Sequence, residues 1–278
     1  MGWVWVNGRL LPEEQGVVPC GDPGLLYGEG LFETLAVHRG IPAFLERHLE
    51  RLDAGATFLG IPSPPFSRWA EALREVVAAN RVQEGWARLV LTPGSSSPLA
   101  VAWAGSGRRY PEDDYRRGWR AIISSYRQDH LSPLCRLKTL SFLPHLLARR
   151  EARQRGADEG LHLNFRGEIA EGAYTNLFLV KGQTLLTPGL ESGPLAGITR
   201  AVVMELAAAA GLEVREGRVT PEDVHRADEA FLTSSLAGIM PLVALEGRPV
   251  GEGKPGPVAK KLAAAYAECL DREADRLK

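Results

Sequence analysis

Residues 161–182 read Leu161-His162-Leu163-Asn164-Phe165-Arg166-Gly167-Glu168-Ile169-Ala170-Glu171-Gly172-Ala173-Tyr174-Thr175-Asn176-Leu177-Phe178-Leu179-Val180-Lys181-Gly182. Turn pairs at Arg166-Gly167 and Lys181-Gly182 punctuate apolar runs, which is the pattern of successive β-hairpins. Upstream lies a strand near Ala121–Ser125, then a helix over Phe142–Arg155, with Pro144 tolerable in its first turn and Gly156 as its cap. Downstream come a helix at Thr199–Ala210 stopped by Gly211, a strand at Glu229–Thr233 and a helix near Val258–Arg276. Hairpins and helices mix without a regular strand–helix–strand rhythm, so the fold class is α+β rather than a doubly wound parallel sheet.

The first half of the chain agrees. Val4–Val6 and Arg9–Leu11 flank Asn7-Gly8 as a hairpin, and Leu31–His38 reads as a strand ended at Arg39-Gly40. Ala43–Leu59 carries apolar residues at 45, 49, 52, 56 and 59, a helical period closed by Gly60. A second helix covers about Ser67–Asn80, and Arg88–Thr92 is strand-like. The Gly-rich polar stretch from Gly105 to Gly118 is the candidate linker. The reading is therefore a domain over 1–107, a linker over 108–118 and a domain over 119–278 that carries Lys138.

The bulk properties exclude several classes. The 278 residues have a formal net charge of −1, and no basic face stands out, so nucleic acid is not expected as a partner. No apolar run approaches membrane-spanning length, and Met1-Gly2-Trp3-Val4-Trp5 reads as a strand, not a secretory signal. Cys20, Cys135 and Cys269 are scattered and lack metal spacing, which fits reduced thiols in a cytoplasm and no metal centre.

The chemistry gathers on three features. Five of the six lysines have plain structural settings in turns, on a helix surface or at the terminus. Lys138 instead lies in the largely apolar stretch Leu134–Leu140, either as a snorkelling structural lysine or as an amine activated by burial and by nearby Arg136. Glu171 ends the alternating segment Glu168-Ile169-Ala170-Glu171, as a solvated carboxylate or as one held against a cationic ring nitrogen. Gly197-Ile198-Thr199 opens a helix, either as an ordinary cap or as an anion cup of backbone N–H groups and a hydroxyl. Thr233-Ser234-Ser235 supplies further hydroxyls or a simple turn, and Arg47 is a phosphate clamp or a helix-face ion-pair partner. Amine, carboxylate and anion cup together are what pyridoxal 5′-phosphate requires.

The ordered set resembles the class IV, or fold type IV, pyridoxal-phosphate aminotransferases, a group that includes branched-chain aminotransferase, D-amino-acid aminotransferase and 4-amino-4-deoxychorismate lyase. The resemblance is carried by Tyr27-Gly28-Glu29-Gly30-Leu31-Phe32-Glu33-Thr34, Arg47-His48-Leu49-Glu50-Arg51-Leu52, Lys138, Gly156-Ala157-Asp158-Glu159-Gly160, Glu171-Gly172 with Asn176-Leu177-Phe178, Leu195–Arg200, and Asp228-Glu229 with Phe231–Ser235. It implies two α+β domains with the cofactor between them and a homodimer as the working unit. It implies Lys138 as Schiff-base lysine and proton shuttle, and Glu171 as the pyridine-nitrogen partner. Arg47, the Ile198 amide, Thr199, Ser234 and Ser235 would hold the phosphate, and Leu195 would pack on the ring.

Within that group the branched-chain enzymes tend to read Phe-Glu-Gly-x-Arg where this chain has Phe32-Glu33-Thr34-Leu35-Ala36. The D-amino-acid enzymes carry an Arg-Gly carboxylate anchor where this chain has Pro93-Gly94, and place Tyr at Phe32. Phe32-Glu33-Thr34 and Leu190–Arg200 look most like the lyases. The expectation is a cytoplasmic carbon–oxygen lyase that converts 4-amino-4-deoxychorismate to 4-aminobenzoate and pyruvate, a step toward folate. Arg127, Arg136 and Phe32 would contact its substrate. The alternative is an aminotransferase acting on D- or branched-chain amino acids.

Overall fold

The computed structural model describes residues 2–107 and 110–277. By its contacts the chain forms two units, one of Met1–Arg109, Leu137–Phe142 and Cys269–Lys278, the other of Tyr110–Arg136 and Leu143–Glu268.

The first unit holds an antiparallel sheet of β1 (Trp3–Val6), β2 (Arg9–Pro12), β3 (Leu31–His38), β4 (Ile41–Pro42), β5 (Gly85–Thr92) and β6 (Leu99–Ser106), in the order β2-β1-β6-β5-β3-β4. A short helix α1 (Pro23–Tyr27) precedes β3, and α2 (Leu45–Leu59) and α3 (Phe66–Ala79) follow β4. Leu31, Leu35 and Val37 of β3 share one buried cluster with Leu49, Leu52 and Ala56 of α2 and with Trp69, Leu73 and Val76 of α3. The i, i+3, i+4 spacing of those helical residues builds this face, and α2 stops at Gly60, whose φ of 68° suits a residue without Cβ. Truncating wholly buried Leu73 to Ala would cost about 2–5 kcal/mol by cavity formation.

The second unit contains, in chain order, α4 (Glu112–Arg117), β7 (Trp119–Ile123), α5 (Leu143–Gln154), β8 (Glu159–Leu163), β9 (Ile169–Gly172), β10 (Asn176–Lys181), β11 (Thr184–Pro188), α6 (Ile198–Ala209), β12 (Glu213–Gly217), α7 (Pro221–Arg226), β13 (Glu229–Ser234), β14 (Gly238–Leu245), β15 (Arg248–Pro249) and α8 (Pro257–Arg276). Its nine-stranded sheet runs β12-β11-β10-β13-β14-β7-β8-β9, with β15 beside β14. Pairing is mixed: β7 lies parallel to both β8 and β14, and β11 parallel to β12, whereas the hairpins β8–β9, β10–β11 and β13–β14 are antiparallel.

Three boundaries differ from the sequence expectation. Residues 108–109 of the expected linker lie outside the described residues, and 112–117 form α4, with acidic residues in its first turn and Arg116 and Arg117 in its last, as the helix dipole favours. Gly105-Ser106 completes β6, and the boundary between the two units falls between positions 109 and 110, inside the expected linker. The lysine segment, expected in the second domain, groups with the first. The Phe32 N–H donates to the Lys138 carbonyl at 3.0 Å, and the Leu140 N–H to the Gly30 carbonyl at 2.9 Å, so 138–140 pair with the start of β3. Residues 269–277 also belong there. Asp271 accepts from His38 Nε2 at 2.9 Å, and Asp275 lies 3.2 Å from the Arg39 guanidinium.

Candidate active site

In the first unit, backbone pairing delivers Lys138 to the face of β3 that carries Phe32. The lysine Nζ rests 4.4 Å from the Phe32 ring centroid and 5.7 Å from that of Phe142. These two rings meet edge to face at 5.2 Å. The amine is thus half-buried against aromatic surface, the setting in which a lysine serves as nucleophile and proton carrier. Arg88 of β5 stands across from Thr34 and donates from Nε to its Oγ1 at 3.1 Å. Its guanidinium carbon lies 5.7 Å from the Phe32 ring centroid and 5.8 Å from that of Trp103.

On the opposite face of β3, Glu33 is wholly buried. His48 Nδ1 lies 2.7 Å from one of its oxygens, and Arg51 donates from Nε at 2.7 Å and from Nη2 at 2.8 Å. Burial pushes the Glu33 carboxyl up, but the charges and hydrogen bonds of Arg51 and His48 outweigh it and hold the group far below the usual carboxylate range. Burial pushes His48 down, with the Arg51 and Lys138 charges acting in the same sense and Glu33 opposing, so a neutral imidazole donates its Nδ1–H to Glu33. Arg47 is half-buried one helical turn before Arg51.

In the second unit, Glu171, the last residue but one of β9, is buried at 6 % exposure. Its Oε2 accepts from the Leu195 N–H at 3.1 Å and from the Asn176 amide at 3.4 Å, and the same amide donates to the Leu195 carbonyl at 2.9 Å. Asn176 therefore ties the carboxylate to the loop that enters α6. Gly197 is the N-cap of α6, no side chain caps the first turn, and a Cβ on Gly197 would sit 2.0 Å from Asn176 Oδ1. Thr199 is buried in that turn with its hydroxyl 3.5 Å from the Tyr266 hydroxyl, while Leu195 and Ile198 are half-buried. Across the β10–β13 register Asn176 faces Thr233, whose hydroxyl is buried without a partner. Ser234 and Ser235 follow half-exposed, and Ser234 Oγ accepts from the Ala237 N–H at 3.2 Å. The orphaned Thr233 hydroxyl, the uncapped helix start and the buried carboxylate fit a phosphorylated pyridine, and the half-buried Lys138 amine fits its aldehyde.

Residues 30–245 match the amino-transferase class IV family. The chain belongs to that family. Pyridoxal 5′-phosphate, the cofactor expected from the sequence, is the cofactor of class IV aminotransferases. The branched-chain-amino-acid aminotransferase of Salmonella typhimurium is 32 % identical over 282 residues, covering 95 % of this chain and 91 % of that one. The crystal structure of the Escherichia coli branched-chain amino acid aminotransferase matches with a TM-score of 0.92 at 30 % identity, over 97 % of this chain and 94 % of that one. The branched-chain aminotransferase of the thermophilic archaeon Thermoproteus uzoniensis, solved with norvaline, matches with a TM-score of 0.89 at 32 % identity, over 99 % and 97 %. The class IV aminotransferase fold, two sheets with mixed helices, is thereby shown.

These relatives overturn the lyase expectation and with it the folate assignment. The stretches that suggested it, Phe32-Glu33-Thr34 and Leu190–Arg200, include residues of the lysine wall and of the α6 entry. Likeness in such stretches does not by itself separate one activity from another on a shared fold.

Of the residues expected from sequence, Glu171, Leu195, Ile198 and Thr199 come together at the α6 entry, Ser234 and Ser235 follow Thr233, and Lys138 meets Phe32. Arg127 and Arg136, expected at substrate, stand exposed. Arg51, Arg88 and Asn176 were not given a role by the sequence, and Thr233 was read with Ser234 and Ser235 as a source of hydroxyls or a simple turn. Arg51 could have been found from His48 and Arg51 recurring three residues apart on a helix beside Glu33. Arg88 has no local signature, because its partners Thr34 and Trp103 come from neighbouring strands.

Proposed function

We propose that the chain is a pyridoxal-phosphate-dependent aminotransferase that moves the amino group between branched-chain amino acids and a 2-oxo acid. The observation that carries the reading is the apolar setting of Lys138, whose amine lies on the Phe32 and Phe142 rings beside the Arg88 guanidinium. Such a wall suits an aliphatic side chain, and Arg88 suits a carboxylate. The full-length likeness to branched-chain aminotransferases supports the same substrate class.

When bound, pyridoxal phosphate supplies an aldehyde that condenses with amines and a pyridinium ring that withdraws electrons from the substrate carbon. Lys138 Nζ would hold the aldehyde, yield it to the substrate amine, and then carry the proton to and from the substrate carbon. Glu171, fixed by Leu195 and Asn176, would keep the ring nitrogen protonated. The Ile198 amide, Thr199, Ser234 and Ser235 would hold the phosphate, with Thr233 beside them and Leu195 against the ring. A guanidinium from α2 would complete the phosphate site. Arg47 was the expected source, and Arg51 is favoured by its bidentate anchoring on Glu33. For substrate carboxylates Arg88 is favoured by its place beside Phe32, with Arg127 and Arg136 as exposed candidates in the second unit.

Leu25, Leu26 and Tyr27 of α1 are 62 %, 55 % and 76 % exposed, which supports a second copy of the chain as partner. Among the described residues no helix is long and apolar enough to cross a membrane. Three unpaired thiols support a reducing, cytoplasmic compartment.

The test offers cofactor-loaded protein leucine, isoleucine, valine or D-alanine together with 2-oxoglutarate. Branched 2-oxo acids and glutamate should form, and Lys138→Ala should lower turnover by at least about 100-fold. Turnover of D-alanine alone, or undiminished turnover by the variant, would sink the reading.

A further inference from the structure

Glu171 and Asn176 flank the turn at 172–175, which the Gly172 N–H closes by donating to the Thr175 carbonyl at 2.7 Å. The Ala173 N–H donates to the Gly160 carbonyl at 2.9 Å. Against this turn lies Glu159, the first residue of β8 and wholly buried. Its Oε1 accepts from the Gly160 N–H at 3.0 Å and its Oε2 from the Thr175 hydroxyl at 3.2 Å, and the Tyr174 N–H donates to the same carboxyl. A Cβ at Gly172 would lie 2.2 Å from Thr175 Oγ1 and 3.2 Å from Glu159 Cγ. The contact of carboxyl and hydroxyl thus fills the place that a side chain at 172 would take, which only glycine leaves open.

The turn also sets where Asn176 enters β10. From there the Asn176 amide donates to Glu171 Oε2 at 3.4 Å and to the Leu195 carbonyl at 2.9 Å. The first of these is near the upper limit for a hydrogen bond, so a small displacement at Thr175 breaks it. Thr175 is buried at 3 % exposure, and water cannot replace Glu159 as the partner of its hydroxyl unless the turn opens. The Leu195 N–H meets the same Glu171 oxygen at 3.1 Å, so both donors bear on the rotation of that carboxylate. Donors held in place in this way favour the ionised form, which is the form that pairs with a cationic ring.

We propose that Glu159 is a positioning residue: by holding 174 and 175 it keeps Asn176 in reach of Glu171, and so steadies the carboxylate that partners the cofactor's ring nitrogen. It rests on Glu171 being that partner, and not on the substrate class. Removing the Glu159 carboxyl should loosen the cofactor and lower the protonation of its ring, although Glu159 itself touches neither the cofactor nor Glu171.

The experiment loads the protein with pyridoxal phosphate carrying nitrogen-15 in its ring, whose resonance reports protonation of that nitrogen, and measures the cofactor Kd alongside. Glu159→Met removes the acceptor, Thr175→Val removes one donor, and Glu159→Gln keeps an acceptor for the turn. Val224→Ala, a truncation of a buried α7 residue in the same unit, stands for a purely structural loss. Glu159→Met should raise Kd about 10-fold and move the resonance toward the unprotonated range. Thr175→Val should raise Kd about 3-fold with a smaller movement in the same direction, and Glu159→Gln should keep Kd within about 2-fold of the parent and the resonance in place. Val224→Ala should leave the resonance unmoved. The proposal is overturned by a resonance that Glu159→Met leaves in place, that Val224→Ala moves equally, or that Glu159→Gln does not restore. If Glu159→Met does not fold, Thr175→Val decides, and an unmoved resonance there overturns the proposal. A resonance unmoved by Glu171→Gln overturns the reading of Glu171 and the proposal with it, whereas one moved by Glu171→Gln and not by Glu159→Met overturns the proposal alone.

Discussion

Glu33 in the first unit and Glu159 in the second are the same residue type, each wholly buried, and their carboxyls shift in opposite directions. Glu33 is gripped by Arg51 and His48 at 2.7–2.8 Å, and those contacts outweigh burial, so it stays ionised. Glu159 accepts from the Gly160 N–H at 3.0 Å and the Thr175 hydroxyl at 3.2 Å, while Arg149 hydrogen-bonds the Tyr110 hydroxyl and stacks 4.8 Å from the Tyr174 ring centroid. Burial dominates there, and the Glu159 carboxyl is pushed up. Direct pairing with a cation, not depth, sets the direction in which a buried carboxyl shifts. The first arrangement anchors the α2 guanidinium, and the second ties down the 173–175 turn between Glu171 and Asn176.

The comparison breaks most readily at Glu33. Glu33→Ala takes the paired carboxylate from half-buried Arg51 and should cost about 3–5 kcal/mol in urea unfolding at neutral pH. A loss below about 1 kcal/mol would show that Arg51 is solvated and that the contrast is wrong. His48→Ala removes one hydrogen bond while Arg51 still holds Glu33, and about 1–2 kcal/mol is expected in the same assay.

The smallest effect belongs to Glu159→Gln, and its sign changes with pH. Because the native Glu159 value is raised, its contribution to stability is full below the ordinary carboxylate value near 4.3 and fades as pH climbs through the native value. Glu33 behaves in the reverse sense. Its contribution is present above that ordinary value and is lost only as acid carries the pH down through the depressed native one. Glu159→Gln should therefore lie within about 1 kcal/mol of the parent near pH 5 and gain on it toward pH 9. Parallel stability curves for the two proteins would mean that Glu159 is ionised in the native state.

Local pattern made the fold class and many of the elements legible. The strand expected at Leu31–His38 has those bounds, and α2 ends at Gly60, because alternation and a glycine stop are written within a few residues. β6 went unread, since Leu99–Ser106 is followed by glycines and polar residues whose strand partners lie elsewhere in the chain. The lysine segment was assigned to the wrong unit because its pairing spans more than a hundred positions, from 30–32 to 138–140. At the site, Lys138 stood out by elimination and Glu171 by its alternating segment. Arg88 did not, because its place beside Phe32 and Thr34 arises from register across strands. The substrate was misread because stretches such as Phe32-Glu33-Thr34 and Leu190–Arg200 do not by themselves separate activities carried by one fold.

Lys138 is fastened to β3 by main-chain atoms, through the Phe32 N–H and the Gly30 carbonyl. Side chains at 139 and 140 contribute nothing to those two bonds, so they can drift over evolutionary time while the amine keeps its address. Proline at 140 is the exception, because it removes the N–H that reaches Gly30. The place of Lys138 is accordingly written as much in the distant strand that holds it as in the residues that flank it.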